Sequence, residues 1–159
     1  MSIVLYRVDE RLIHGQVILG WGNQLKPERY LVVDDELAQS DWEQELYRLG
    51  AGEMDVRFSS VEEARRLLPQ WRADEKRSIL LTRDVDAMVR LARGGLLAGE
   101  RVNLGGQHPG PGRAQVLTYL HLTQEDRDGL AELQEAGVDV SARDLPDAAK
   151  VSLKTLLES

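Results

Sequence analysis

The sequence predicts an α/β fold, an open, largely parallel, doubly wound sheet of about seven strands with helices on both faces. Three observations predict it. Short apolar runs rich in Val, Ile and Leu alternate with amphipathic segments along the whole chain, the order of repeated βα units. The runs are apolar almost continuously instead of at every second position, as in strands covered on both sides. No repeat, linker or low-complexity tract breaks the alternation, so the 159 residues, 1–159, read as a single domain.

In chain order, IVLYRV (Ile3 to Val8) is the first strand. VILGWGNQL, after Gly15 and Gln16, has the apolar content of a helix despite Gly20 and Gly22. YLVV (Tyr30 to Val33) and VRF (Val56 to Phe58) are the second and third strands. In SVEEARRLLPQW, Ser60 and Glu63 form a capping box, and Val61, Ala64, Leu67 and Leu68 share one helical face. ILLT (Ile79 to Thr82) is the fourth strand, followed by the helix DVDAMVRLARGG, stopped by Gly94. VNL (Val102 to Leu104) is the fifth. Gly105 to Gln115, GGQHPGPGRAQ, carries too much glycine and proline for anything but a loop. VLTYLHL gives one further strand, TQEDRDGLAELQEAG a helix opened by Thr123 and closed by Gly137, and VDVSA another strand. DAAKVSLKTLLE reads as a last helix.

Composition narrows function. Apolar residues make up 42% and charged residues 30%, a globular balance. A formal net charge of -7 argues against nucleic acid or an anionic membrane surface as partner. There is no cysteine, which removes disulfides, thiolate metal sites and thiol nucleophiles and suits a reducing compartment. No metal and no cofactor is expected. The first residues, MSIVLYRVDE, carry only a short apolar run without a cleavage site, and nothing approaches a membrane span. The expectation is a cytoplasmic protein without membrane insertion.

Chemistry concentrates in RVDERLIHGQV, Arg7 to Val17, directly behind the first strand. In open α/β sheets ligand sites form from loops at the carboxyl ends of strands, which is where Asp9 to Gly15 falls. His14 stands just before a helix N-terminus, whose free N–H groups and dipole favour anions, and Arg11 is three residues away. An imidazole, a guanidinium fork and backbone donors are the parts needed to receive a phosphoryl group, with Asp9 or Glu10 to hold one ring nitrogen as N–H. Taken alone, a histidine after a strand is more often a loop or packing residue than a nucleophile, and Arg7–Asp9 or Glu10–Arg11 read as plain ion pairs.

The run resembles the signature of the IIB components of the mannose, fructose and sorbose family of the bacterial sugar phosphotransferase system. Its usual form is Arg, Ile or Val, Asp, Asp, Arg, Leu, an aliphatic, His, Gly, Gln, Val; Glu10 in place of the second Asp is the one departure. Trp21, YLVVDDE, ILLTRDVDAMVRLARGG, VNLGG and LAELQEAGVDV extend the resemblance over most of the chain. It implies that a IIA phosphohistidine donates to the IIB histidine at Nδ1, and that IIB phosphorylates a sugar imported by the IIC and IID membrane subunits. Carried over, His14 is the phosphoacceptor, Arg11 and Asp9 act with it, and Arg11, Gly15 and Gln16 bind the phosphoryl group.

Two departures concern specificity. The fourth loop, which often contains proline in the family, reads Thr82, Arg83, Asp84, and the fifth inserts His108, Pro109 and Pro111. Arg83 and His108 are therefore further site candidates, with a surface arginine the plainer account of Arg83. His108 has no carboxylate within its own loop to fix a tautomer, so one phosphoryl group per chain is expected, on His14. His121 receives no role. The Walker and GxGxxG phosphate cradles are absent, and a receiver's acceptor aspartate is missing from the third strand end, where FSS stands. The alternative that remains is a regulatory phosphocarrier, the same His14 chemistry read by a partner protein instead of spent on sugar.

Overall fold

The computed structural model describes residues 2–158, apart from the side chain of Gln16. Strands β1 (Ile3–Val8), β2 (Arg29–Val33), β3 (Asp55–Ser59), β4 (Ser78–Thr82), β5 (Arg101–Leu104) and β8 (Asp139–Ala142) are all parallel, and β9 (Val151–Ser152) joins antiparallel at the edge. The sheet order is β3-β2-β4-β1-β5-β8-β9. Since β4 and β5 flank β1 on opposite sides, the chain reverses its winding at β1. Crevices for ligands open at such switch points, beyond the carboxyl ends of the strands.

One face is covered by α3 (Val61–Ala73), α4 (Val85–Ala92), α5 (Gln124–Glu135) and α6 (Leu153–Leu157), whose apolar stripes enclose Tyr6, Val8, Leu80, Val102 and Val140. The capping box of Ser60 and Glu63 forms as expected, and Thr123 makes a second one with Asp126. Gly94 and Gly137 adopt positive φ where their helices end. The other face is covered by a π-helical turn (Gln16–Trp21) continuing into α1 (Gly22–Leu25), and by α2 (Asp41–Ala51), over Tyr30, Val32, Ile79 and Leu81. This second layer stops at β1. Arg101, Asn103 and Ser141 on β5 and β8 line a groove of about 550 Å³ instead. Helices on both faces therefore holds for the β3-to-β1 half of the sheet only.

Two sequence expectations need correction. VLTYLHL is not one strand: it bends at Thr118 and Tyr119 into an antiparallel hairpin of β6 (Ala114–Leu117) and β7 (Leu120–Leu122), outside the main sheet. The turn lacks the Asn-Gly or Asp-Gly pair that marks a two-residue hairpin, so nothing local announced it. The last helix is shorter than DAAKVSLKTLLE. Val151 and Ser152 pair with Ala142 and Ser141 as the seventh strand of the sheet, and Ser152 then caps the short α6 by accepting from Thr155 N–H.

Candidate functional site

Three loops meet at the carboxyl end of β1: residues 9–15 after β1, 83–84 after β4, and 105–113 after β5. Backbone bonds stitch them together. Asp9 N–H donates to Thr82 O at 3.0 Å, Gly105 N–H to Val8 O at 2.7 Å and Glu10 N–H to Gly106 O at 2.8 Å. The first loop turns tightly, with Leu12 N–H on Asp9 O at 2.9 Å and Leu12 at φ 55, a left-handed conformation for a fully buried leucine. A side chain in that region is strained and must be held by its surroundings. Here Leu12 and Ile13 are packed into the core below, which turns His14 upward at the site.

The base of the loop is charged. Arg7 is fully buried on β1 and donates from Nη2 to Asp9 Oδ2 at 3.1 Å and to Asp144 O at 3.0 Å. From Nη1 it donates to Arg143 O at 2.8 Å and to the side-chain carbonyl of Asn103. Its guanidinium also lies over Trp21, 5.3 Å from the ring centroid. Burial pulls the Arg7 pKa down and the neighbouring Asp9 carboxylate pushes back. Desolvating this pair is expensive, and the number of its hydrogen bonds is what makes it tolerable. A Cβ on Gly105 would collide with the Arg7 guanidinium and stand 2.6 Å from Asp9 Oδ2, so only glycine admits this approach.

Asp9, itself fully buried, distributes the charge upward. Oδ1 accepts from Arg11 N–H at 3.1 Å and from Arg11 Nε–H at 3.3 Å. Oδ2 lies 3.7 Å from His14 Nε2. His14 Nδ1–H donates to Leu12 O at 2.9 Å, and Nε2 is buried without a hydrogen-bond partner. The ring therefore sits with Nδ1 on the backbone and Nε2 toward the aspartate. Arg11 rests on Gly106, where a Cβ would meet its Nη2 at 3.1 Å. Ile18 N–H donates to His14 O at 3.0 Å, an α-type turn that leads into the π-helical stretch, so the histidine stands just before the helical segment, as the sequence predicts. A Cβ on Gly15, the next residue, would meet no residue beyond its own chain neighbours within 4 Å. The Gln16 side chain lies outside the described residues.

Of the other candidates, Arg83 enters through its backbone: Gln107 Nε2 donates to Arg83 O at 2.9 Å, while Arg83 Nε is buried without a partner. His108 is brought close in an unforeseen way. Glu10 Oε2 accepts from His108 N–H at 2.9 Å and lies 2.7 Å from His108 Nδ1, and Glu10 Oε1 accepts from Arg113 Nη1 at 2.9 Å. The carboxylate that the fifth loop lacks is supplied by the first. Burial pushes the Glu10 carboxyl up, but the hydrogen bonds from Arg113 and His108 outweigh this and hold it below its ordinary value. Gln107, also missed, is buried and locks the fifth loop to the hairpin through its N–H on Tyr119 O and its O from His121 N–H, each at 2.9 Å. The Arg7–Asp9 ion pair that the sequence allowed is present, whereas Asn103 and Gly105 were not singled out; only the arginine's position inside an apolar strand signalled them.

With this geometry, the matches to known proteins have a structural meaning. The model of the PTS system sorbose subfamily IIB component matches residues 3–159. The chain belongs to that family. It is 30% identical to the N-acetylgalactosamine-specific phosphotransferase enzyme IIB component 2 of Escherichia coli, covering 98% of this chain and 99% of that protein. It is 31% identical to the sorbose-specific EIIB component of Klebsiella pneumoniae, over 90% of this chain and 87% of that one. The crystal structure of manxB from Thermoanaerobacter tengcongensis superposes with a TM-score of 0.88 at 31% identity, covering 99% of this chain and 95% of that chain. As a IIB component the protein is a phosphocarrier in sugar phosphotransfer, and IIB components are phosphotransferases. Among the described residues no helix is long and apolar enough to cross a membrane.

Proposed function

We propose that residues 1–159 form one cytoplasmic IIB domain in which His14 takes a phosphoryl group on Nδ1 from a IIA phosphohistidine and passes it to a sugar imported by a IIC/IID permease. In enzyme terms it is a protein-Nπ-phosphohistidine–sugar phosphotransferase. The observation that carries the reading is the Asp9 carboxylate, buried on Arg7, with Arg11 on one oxygen and the His14 ring facing the other.

Attack through Nδ1 requires the ring to leave Leu12 O and to carry its proton on Nε2, where Asp9 Oδ2 stands ready to accept it. The Nδ1 lone pair then attacks phosphorus as the donor's N–P bond breaks and its electron pair returns to the IIA ring. Arg11, held by Asp9 at Nε, brings its guanidinium charge to the phosphoryl oxygens, and Gly15 adds no side chain beside them. The second transfer reverses these roles: the sugar hydroxyl oxygen attacks phosphorus and the imidazole leaves. That one relative, the mannose-specific EIIAB component of Escherichia coli, spans about twice this chain, which covers 49% of it, supports a IIA partner working beside this domain. The sugar-specific phosphotransferase names of the relatives favour sugar phosphotransfer over the regulatory carrier.

The test is labelling by the cognate phospho-IIA. His14→Ala should lose it completely while the far-UV circular dichroism stays native, and the wild-type adduct should be labile in acid and stable in base, as a phosphoramidate is. Full labelling of His14→Ala would sink the assignment.

A further inference from the structure

Two of the three histidines stand on loops of the same cluster, and the structure gives them opposite environments. The His14 side chain is 16% exposed, with one nitrogen on a backbone carbonyl and the other buried toward Asp9. The His108 side chain is 56% exposed. Its Nδ1 lies 2.7 Å from Glu10 Oε2, its backbone N–H donates to the same oxygen at 2.9 Å, and its carbonyl accepts from Arg113 Nη1 at 2.7 Å. That guanidinium nitrogen also donates to Glu10 Oε1 at 2.9 Å, so the carboxylate beside the ring is neutralised where it stands.

Such an arrangement prepares a nucleophile. A carboxylate this close to Nδ1 favours the tautomer with its proton on that nitrogen, which leaves the Nε2 lone pair as the reactive position. His14 must rotate before it can present a nitrogen, whereas His108 already does. The first loop thus supplies what the fifth lacks, through Glu10, the residue that departs from the usual family motif.

We propose that His108 is a second phosphoryl-accepting site, taking a phosphoryl group on Nε2 from an N–P donor of the phosphohistidine class. The Nε2 lone pair forms the new bond to phosphorus, the donor's N–P bond breaks, and its electron pair stays on the departing nitrogen, which takes up a proton from water. The Nδ1 proton stays on the ring, facing Glu10, and the product is an Nε2-phosphohistidine, chemically distinct from the Nδ1 adduct assigned to His14. Only the class of donor is taken from the reading above; the nucleophile is independent of it.

Potassium phosphoramidate is a small N–P donor that needs no partner protein. With His14→Ala exposed to it at neutral pH, intact mass should show one phosphoryl group, and proton–phosphorus NMR should place it on Nε2 of His108. Adding Glu10→Gln should slow that labelling by about tenfold or more, the usual cost of deleting a carboxylate that orients a working histidine. His108→Ala in the same background should abolish it. His121→Ala should leave it intact, because His121 has only a carbonyl, Gln107 O at 3.0 Å, on its Nδ1. No incorporation in folded His14→Ala, an adduct on Nδ1, labelling on His121 instead, or a rate indifferent to Glu10 would each overturn the proposal. Loss of IIA labelling in His14→Ala is read in a separate assay, so either conclusion can fail alone.

Discussion

The loop after β1 and the loop after β5 meet at one crevice and are held by different physics. The first is anchored from below by a fully buried arginine and aspartate, and its histidine ring is enclosed. The fifth is anchored from the side by Glu10, three-quarters buried, and its histidine stands in solvent. A buried ion pair is costly to desolvate and costlier to break, so it fixes geometry. A half-exposed clasp gains little stability and is free to set the shape and reactivity of the rim.

The sharpest way to break this contrast is at Arg7. Arg7→Met keeps most of the volume but leaves Asp9 Oδ2, the Asn103 side-chain carbonyl and Arg143 O without their donor, while Asp144 O keeps only Trp21 Nε1. Removing one partner of a buried pair typically costs about 3–5 kcal/mol, and urea unfolding of the variant should show a loss of that size. A loss below about 1 kcal/mol would mean that water or Arg11 replaces Arg7 at little cost.

Next in size is Arg11, which bridges the two kinds of anchoring: Nε on buried Asp9, the rest of the fork over Gly106 at the surface. Arg11→Lys keeps the charge and loses the planar fork. Phosphoryl transfer from phospho-IIA should fall by about a hundredfold, the usual scale for one preorganised donor, with the melting temperature shifted only slightly. Wild-type transfer kinetics would reduce Arg11 to a structural partner of Asp9.

The same contrast explains what the sequence disclosed. Asp9, Arg11 and His14 lie within six residues of one another behind an apolar strand, so their meeting followed from local geometry and from where α/β sheets place their sites. The parallel sheet was legible for the same reason: Tyr30 to Val33 and Ile79 to Thr82 are apolar on both sides and could only be central. What was hidden depends on distant partners. Glu10 meets His108 and Arg113 across roughly a hundred residues, and no pattern in GGQHPGPGRAQ announces a carboxylate from elsewhere. Gly105 reads as loop filler until Arg7 is seen to occupy the space of its Cβ. Val151 and Ser152 look helical by periodicity; the open edge of β8 claimed them. Trp42, Leu46 and Leu49 on α2 share a stripe that faces solvent, so the rule that apolar stripes point to the core fails there.

The smallest expected effect is at the clasp itself, where pH provides the handle. Glu10 has its folded pKa held below the ordinary 4.5 by Arg113 and His108 against the opposing effect of burial. A depressed carboxylate contributes stability that is present above its unfolded value and lost as pH falls through its folded value. Between pH 5 and 8 the clasp should therefore stay closed as far as Glu10 is concerned, and it should open only in acid below 4.5. The His108 backbone N–H, donating to Glu10 Oε2 at 2.9 Å, reports this directly. Its amide proton should resonate downfield while the carboxylate is ionised and move upfield on acidification, with a midpoint below the ordinary value. Glu10→Gln should remove the titration and cost no more than about 1 kcal/mol, since the pair is partly solvated. The amide of Arg11, on Asp9 Oδ1 at 3.1 Å, serves as the internal comparison: it should be unaffected by Glu10→Gln, because its acceptor is held from the buried side by Arg7. If both amides moved together in that variant, the two loops would be one coupled unit, and the division between a rigid base and an adjustable rim would fall.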